Sequence, residues 1–379
     1  MTAVTMYFQV HQPMRLRRIQ SQRPPDGYDY WDHTKNRAIL DRASEKCYLP
    51  TNHVIADLIR KTDGWFRVAY SLSGVFLEEI ERHRPDVLES FRELVATGHV
   101  EILDETYYHS LAGLWEDQTE YRAQIDEHRA AVKRLFGVTP TVFRNTELIY
   151  DDRIAATAES QGYKAIITEG TERILGDRSP NHIYRPARPD SKLRVLLKNY
   201  RLSDDIAFRF STPGWSESPL TADKYARWLA ETPGDTINLF MDYETFGEHQ
   251  WPETGIFEFL RHLPGEVGKH RHLGFALPRE AAAEHEPQGD FAVPHAISWA
   301  DRESGPSLAE MRRRTPLALV GGINHVNFPN LAAARIRDEV RGAVAEAGRT
   351  KLLLAPGCAV PTYSFPELIR AARDEAGRA

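Results

Sequence analysis

Short apolar runs of β type alternate with amphipathic stretches through most of this chain, and that alternation leaves few folds open. The runs are Val4–Val10, Trp65–Leu72, His99–Leu103, Thr141–Thr146, Tyr163–Thr168, Leu193–Lys198 and Thr236–Met241. Between them, Asn52–Lys61, Asp86–Thr97, Asp117–Phe136, Asp152–Gln161 and Ala222–Glu231 repeat apolar residues at three- and four-residue spacing, the period of a helix with one buried face. Gly98, Gly137, Gly162 and Gly234 each follow such a stretch, where a glycine can take the left-handed geometry that stops a helix. This order predicts an α/β fold with a parallel sheet, and seven units favour a closed barrel over an open doubly wound sheet.

The 379 residues, 41% of them hydrophobic, suffice for one barrel-sized domain and an appendage. With 48 basic against 54 acidic residues the net charge is −6, which gives no electrostatic case for nucleic acid or an anionic membrane as partner. The two cysteines, Cys47 and Cys358, lie far apart, so neither a disulfide framework nor a zinc site is indicated. Met1 to Val10 lacks the features of an export signal, and no apolar run approaches the roughly 20 residues of a membrane helix, so the expected compartment is the cytoplasm. Pro278 to Pro294, rich in Ala, Glu, Pro and Gly, reads as a linker or exposed loop. Two further strand-helix units follow it, Leu317–Ile323 with Ala332–Ala347 and Lys351–Ala355 with Glu367–Ala376.

In a parallel barrel the chemistry sits where strands end and loops begin. Four polar motifs directly follow strands here: His11-Gln12-Pro13, Glu105-Thr106-Tyr107-Tyr108-His109, Arg144-Asn145-Thr146-Glu147, and Asp242 to His249. Cleaving a glycosidic bond needs an acid to protonate the leaving oxygen and a carboxylate to meet the electron-poor carbon, about 5–5.5 Å apart in a retaining enzyme. Strand-end carboxylates facing across a barrel mouth can meet that requirement. A single one is more often a salt bridge or helix cap; four clustered motifs argue for a site. Tyr107, Tyr108, Trp115, Tyr243, Phe246 and Trp251 are candidate platforms for the apolar faces of sugar rings, although aromatics at strand ends are also common core residues. Metal-dependent carbohydrate chemistry is the competing enzymatic reading. It is not supported, because no two histidines near these motifs have ligand spacing on one element.

The motifs resemble those of glycoside hydrolase family 57, the α-amylase-like enzymes that include 4-α-glucanotransferases and branching enzymes. The resemblance runs from about Tyr7 to Asp301. It rests on Gln9-Val10-His11-Gln12-Pro13, on the run from Glu105 to His109, on Phe143 to Tyr150 (FRNTELIY) and on Met241 to Trp251 (MDYETFGEHQW), in that order. It implies an incomplete barrel of seven strand-helix units, an α-1,4-glucan or maltooligosaccharide substrate, retention of anomeric configuration and no cofactor or metal. The family nucleophile falls on Glu147 and its general acid/base on Asp242, with substrate contacts at His11, His109, Glu244 and Trp251. Arg144, three residues before Glu147, is expected beside the substrate, where its charge would help to keep a nucleophile ionised, while Asp242 needs a less polar pocket to hold a proton.

Beyond the barrel the resemblance changes. Family members carry a fifth motif after a Ser-Trp-Ala-Asp segment, and none follows Ser298-Trp299-Ala300-Asp301 here. Residues 297–379 instead resemble the C-terminal end of the uroporphyrinogen decarboxylase superfamily, through Gly321-Gly322-Ile323-Asn324-His325 and the run from Leu354 to Cys358. The expected division is therefore a barrel at 1–296 and an α/β appendage at 297–379. A glucan-binding chain disabled by the missing motif is the alternative to an enzyme.

Overall fold

The computed structural model describes residues 1–17, 27–294, 296–297, 308–314, 319–324, 328, 331–356 and 366–378. Each of the seven apolar runs forms a strand: β1 (Thr2–Val10), β2 (Val68–Leu72), β3 (Val100–Leu103), β4 (Val142–Arg144), β5 (Ala165–Glu169), β6 (Arg194–Lys198) and β7 (Thr236–Asp242). All pair in parallel, and spatial order follows chain order, with β7 returning to β1. Two joints are thin. β6 meets β7 at the single pair Lys198 and Asn238, and β3 meets β4 through a bridge of Asp104 with Phe143. The result is a nearly closed (β/α)7 barrel.

Period-two alternation sorts the strand side chains into two cores. Met6, Phe8, Tyr70, Ile102, Leu239 and Met241 face outward and pack under the helices. Tyr7, Ala69, Leu103, Val142, Ile167, Leu196 and Phe240, one from each strand, cluster together as the apolar plug of the lumen. Two residues further along each strand path the inward position is polar every time: Gln9, Ser71, Glu105, Arg144, Glu169, Lys198 and Asp242. The floor of the mouth is thus laid directly on a hydrophobic plug.

The expected linker at Pro278 to Pro294 is corrected by the structure. A helix at Pro278–Glu284 buries Pro278, Ala281 and Ala282, and both alanines join Ala3, at the start of β1, in the lumen cluster. Arg279 N–H donates to buried Glu101 at 3.0 Å. Asp290–Phe291 pairs with Arg185–Pro186, and Phe291 and Val293 are fully buried. A short strand β8 (Leu273–Phe275) pairs beside the start of β1.

Two later strands, β9 (Leu319–Ile323) and β10 (Leu352–Pro356), form a separate two-stranded parallel sheet. Helices Ala333–Ala347 and Pro366–Ala376 accompany it, around Ile323, Phe328, Ile336, Val340 and Leu368. The Ser298 to Asp301 segment, His325 and Cys358 lie outside the described residues.

Candidate active site

The mouth is built from the turns that leave the strands. After β4 the chain makes a single 3-10 turn, Thr146–Leu148, in which Glu147 takes φ 54° and ψ 26°. A non-glycine residue held there costs on the order of 1–3 kcal/mol, a strain found where function requires one side-chain direction. The turn is braced from below and behind. Thr146 shares a 2.7 Å hydrogen bond with Thr106, Asn145 Nδ2 donates to the Ile149 carbonyl at 2.9 Å, and Tyr150 pairs with Ile297.

Asp242 ends β7, and its side chain opens onto the mouth. Protein nevertheless surrounds it closely enough that lost hydration is the largest influence on its carboxyl, followed by the negative charge of Glu147, and its pKa is raised. Glu244, two residues on, is buried. It accepts hydrogen bonds from Tyr48 Oη at 2.5 Å and Gln12 Nε2 at 3.1 Å. Burial first, and the Asp242 charge second, push it up to about 7. Tyr48 reaches it from the π-turn Ser44–Tyr48 between two helices. Gly247, at φ 109°, lets the β7 loop approach that turn so closely that a Cβ would stand 2.0 Å from the Lys46 carbonyl oxygen. Gly247→Ala should therefore lower stability by about 2 kcal/mol or more, read as a shift in the midpoint of chemical denaturation. A midpoint unchanged in the variant would refute the close-approach argument.

His11 and His109 stack, with ring centroids 4.3 Å apart and planes 25° apart. His11 Nδ1 lies 2.8 Å from Ser73 Oγ, and burial, then the charge of His109, lower its pKa to about 4. His109 lies between Glu105 and Glu147, 2.9 and 3.0 Å away.

Among the residues expected at the site, the structure gathers Glu147, Asp242, His11, His109 and Glu244 at the mouth. Arg144 is a correction. As the last inward residue of β4 it is a fully buried part of the floor, with its cation 5.0 Å over the Phe240 ring, so a sugar cannot touch it. It acts through neighbours: Nη2 donates to Gln9 Oε1, and Nη1 lies 3.9 Å from Glu105. The aromatic platforms divide. Tyr107, Tyr243 and Phe246 are core residues, whereas Tyr108, Trp115 and Trp251 are 49%, 62% and 62% exposed. Trp251 Nε1 donates to the Glu248 carbonyl at 3.1 Å, which fixes the ring's edge and leaves a face to solvent.

Several site residues were not singled out by the sequence. Ser71, Glu169 and Lys198 belong to the polar floor with Gln9, which the sequence marks only as part of a motif, and the signal that could have found them is their position two residues beyond the plug. Lys198 Nζ lies 3.6 Å from both Glu169 and Asp204, an ion cluster buried under the mouth. His128 is a brace from the outer side: its Nδ1 meets Asp104 and its Nε2 lies 2.7 Å from the Leu72 carbonyl, tying β2 and β3 to the helix Thr119–Phe136. Among the described residues no group of three or more His, Cys, Asp or Glu is arranged to hold a metal ion, and no helix is long and apolar enough to cross a membrane.

Comparisons with known proteins agree with this fold. The model of the family described as glycosyl hydrolase family 57 matches residues 5–294. The chain is 50% identical over 303 residues to a protein of Methanocaldococcus jannaschii named "Putative alpha-amylase", covering 79% of this chain and 64% of that one. It is 21% identical over 264 residues to an alpha-amylase of Pyrococcus horikoshii, covering 68% of this chain and 39% of that one. It therefore spans less than two thirds of the length of either relative. In fold it is similar to the 4-alpha-glucanotransferase of Thermococcus litoralis, with TM-score 0.62 and 17% identity over 92% of this chain and 46% of that one. It is also similar to a branching enzyme of Thermococcus kodakaraensis, with TM-score 0.60 and 12% identity over 99% of this chain and 88% of that one.

Proposed function

This chain belongs to glycosyl hydrolase family 57, and we propose that it acts on α-1,4-glucans with retention of anomeric configuration, through a glycosyl-enzyme intermediate. Glu147 attacks the anomeric carbon while Asp242 gives its proton to the glycosidic oxygen, and the shortened glucan leaves. Asp242, now a carboxylate, takes a proton from water or from a sugar hydroxyl, whose oxygen then displaces Glu147. Water gives hydrolysis and a sugar hydroxyl gives transfer. His11 and Glu244 contact the sugar beside the bond, and exposed Trp251 offers an aromatic face to a more distant ring. No step needs a metal or cofactor. The two-stranded sheet of β9 and β10, which among the described residues pairs with no barrel strand, takes no part in the chemistry.

The observation that carries this reading is the pair of carboxylates at one mouth in unequal surroundings. Burial and the charge of Glu147 favour a proton on Asp242, which is the division of labour an acid and a nucleophile require. The strained backbone of Glu147 supports a working site over a disabled one, since strain of that kind persists where a side chain must be aimed. Incubation with maltoheptaose and sizing of the products tests it. Shorter sugars alone are expected of an amylase, and sugars longer than the substrate of a transferase. An unchanged substrate with no new reducing ends would refute the reading in favour of a binding protein.

A further inference from the structure

Both ring nitrogens of His109 face carboxylates. Nδ1 lies 2.9 Å from Oε2 of Glu105, and Nε2 lies 3.0 Å from Oε1 of Glu147. A neutral imidazole has one N–H, so it could donate to only one of them and would turn a lone pair toward the other; an imidazolium donates to both. Glu105 is fully buried and firmly ionised. Burial opposes its charge, but the hydrogen bond and charge of His109, with Arg144 and His128 behind, bring its pKa down to about 2. It also accepts from Ser71 Oγ at 2.8 Å.

The other neighbours leave the two N–H directions clear. Gln9 Nε2 stands 2.8 Å from Nε2 and 3.3 Å from Nδ1, and an atom that close to both nitrogens lies over the ring face. Its amide is oriented by Arg144, which can only donate and so fixes Oε1 on its own side. His11 stacks on the ring, and its lowered pKa makes it the neutral member of that pair. Burial is the largest influence on His109 and works against its charge. The hydrogen bonds to Glu105 and Glu147 and the Glu105 charge outweigh it, against opposition from Arg144, and its pKa is raised. The contact also joins two strained residues, His109 at φ 52° and Glu147 at φ 54°. That strain is maintained at both ends of one hydrogen bond.

We propose that His109 is the positioning cation of this site, an imidazolium clamped by buried Glu105 that holds Glu147 in its attacking orientation and in its ionised form. This deepens the glucan reading, since it rests on Glu147 being the nucleophile, and it gives Glu105 a function although Glu105 is closed off from any sugar.

Nitrogen-15 NMR of the unliganded full chain with labelled histidines reads the ring directly. The His109 signal, identified by its loss in His109→Gln, should show both nitrogens protonated at pH 7 and titrate above the ordinary value of about 6.5. Glu147→Gln, which changes one acceptor and little of the shape, should lower that titration by about one unit or more. In turnover of maltoheptaose, Glu105→Gln should reduce kcat by on the order of 10-fold to 100-fold with KM little changed. It should also move the acid limb of the kcat/KM profile to higher pH, which a merely structural residue would not do. A ring carrying one proton at pH 7, or an acid limb unmoved in Glu105→Gln, would overturn the proposal. If Glu105→Gln does not fold, the ring measurements on the intact chain and on Glu147→Gln decide it. They need no substrate, so their failure is distinguishable from failure of the glucan reading, which the product assay detects.

Discussion

Replacing Glu147 by Gln is expected to reduce kcat on maltoheptaose by on the order of 10⁴-fold or more, because the amide keeps the shape of the side chain and loses the nucleophile. Binding should survive. The carbonyl oxygen of Gln can still accept from His109 Nε2, and the strained turn is fixed by Thr106, Thr146 and Asn145, none of which is altered. Calorimetric titration with maltoheptaose should therefore give an affinity within about tenfold of the unmodified chain, a difference of about 1.4 kcal/mol. Turnover in the variant within tenfold of the unmodified chain would remove Glu147 from the reaction. A small anion offers a further check on the truncated variant Glu147→Ala. Azide can enter the space left by the carboxylate and attack the anomeric carbon itself, so the glycosyl azide formed should have inverted configuration.

The barrel strands were legible because each is a short apolar run bounded by polar turns, and all seven fall within a few residues of their expected positions. Helices were less legible where their first turn resembles a loop. Gly74–His83 begins on a glycine, and its helical start is fixed by Ser73, whose hydroxyl accepts from Phe76 N–H, a cap that is visible only once Ser73 is known to end a strand. The Pro278 to Pro294 stretch was misread for a related reason. Its alanines look like loop filler, yet Ala281 and Ala282 lie on a helix and are buried in the lumen cluster. At the site, residues in motifs that follow strands were found, Asp242 among them, while Ser71, Glu169 and Lys198, marked only by inward parity, were not, and finding a residue is different from placing it. Arg144 shows the difference. Its distance from Glu147 along the chain suggested a contact in the cleft, but the pleat of β4 turns it inward, where it is fully buried. Tyr107, Tyr243 and Phe246 share the motifs with exposed Tyr108 and Trp251, and only packing separates core from platform.

Asp242→Asn should lower kcat on maltoheptaose by about 10²- to 10⁴-fold, the range over which a positioned acid–base group contributes. Its raised pKa determines how the loss depends on pH. The protonated form performs the first step, so kcat/KM of the unmodified chain should fall as pH rises through the pKa of Asp242, and a raised value carries that basic limb upward. Asn cannot titrate, so the variant should lose the limb. It should also respond to the leaving group. An aryl maltoside whose phenol departs without a proton bypasses the acid, so formation of the glycosyl-enzyme stays fast and its breakdown, which still lacks a base, becomes slow. A burst of phenol followed by a slow steady state is the expected record. Azide needs no base and should speed the slow phase, giving a glycosyl azide of retained configuration because it attacks the intermediate on Glu147 from the side Asp242 occupied. That stereochemistry is opposite to the product expected from Glu147→Ala, so the two variants assign the two roles independently. Retained product from the Glu147 variant and inverted product from the Asp242 variant would exchange the assignments. A basic limb that persists in Asp242→Asn at a pH different from the titration of His109 would show that another group supplies the proton, and Glu244, buried beside Asp242 and pushed up to about 7, would then be the first residue to test.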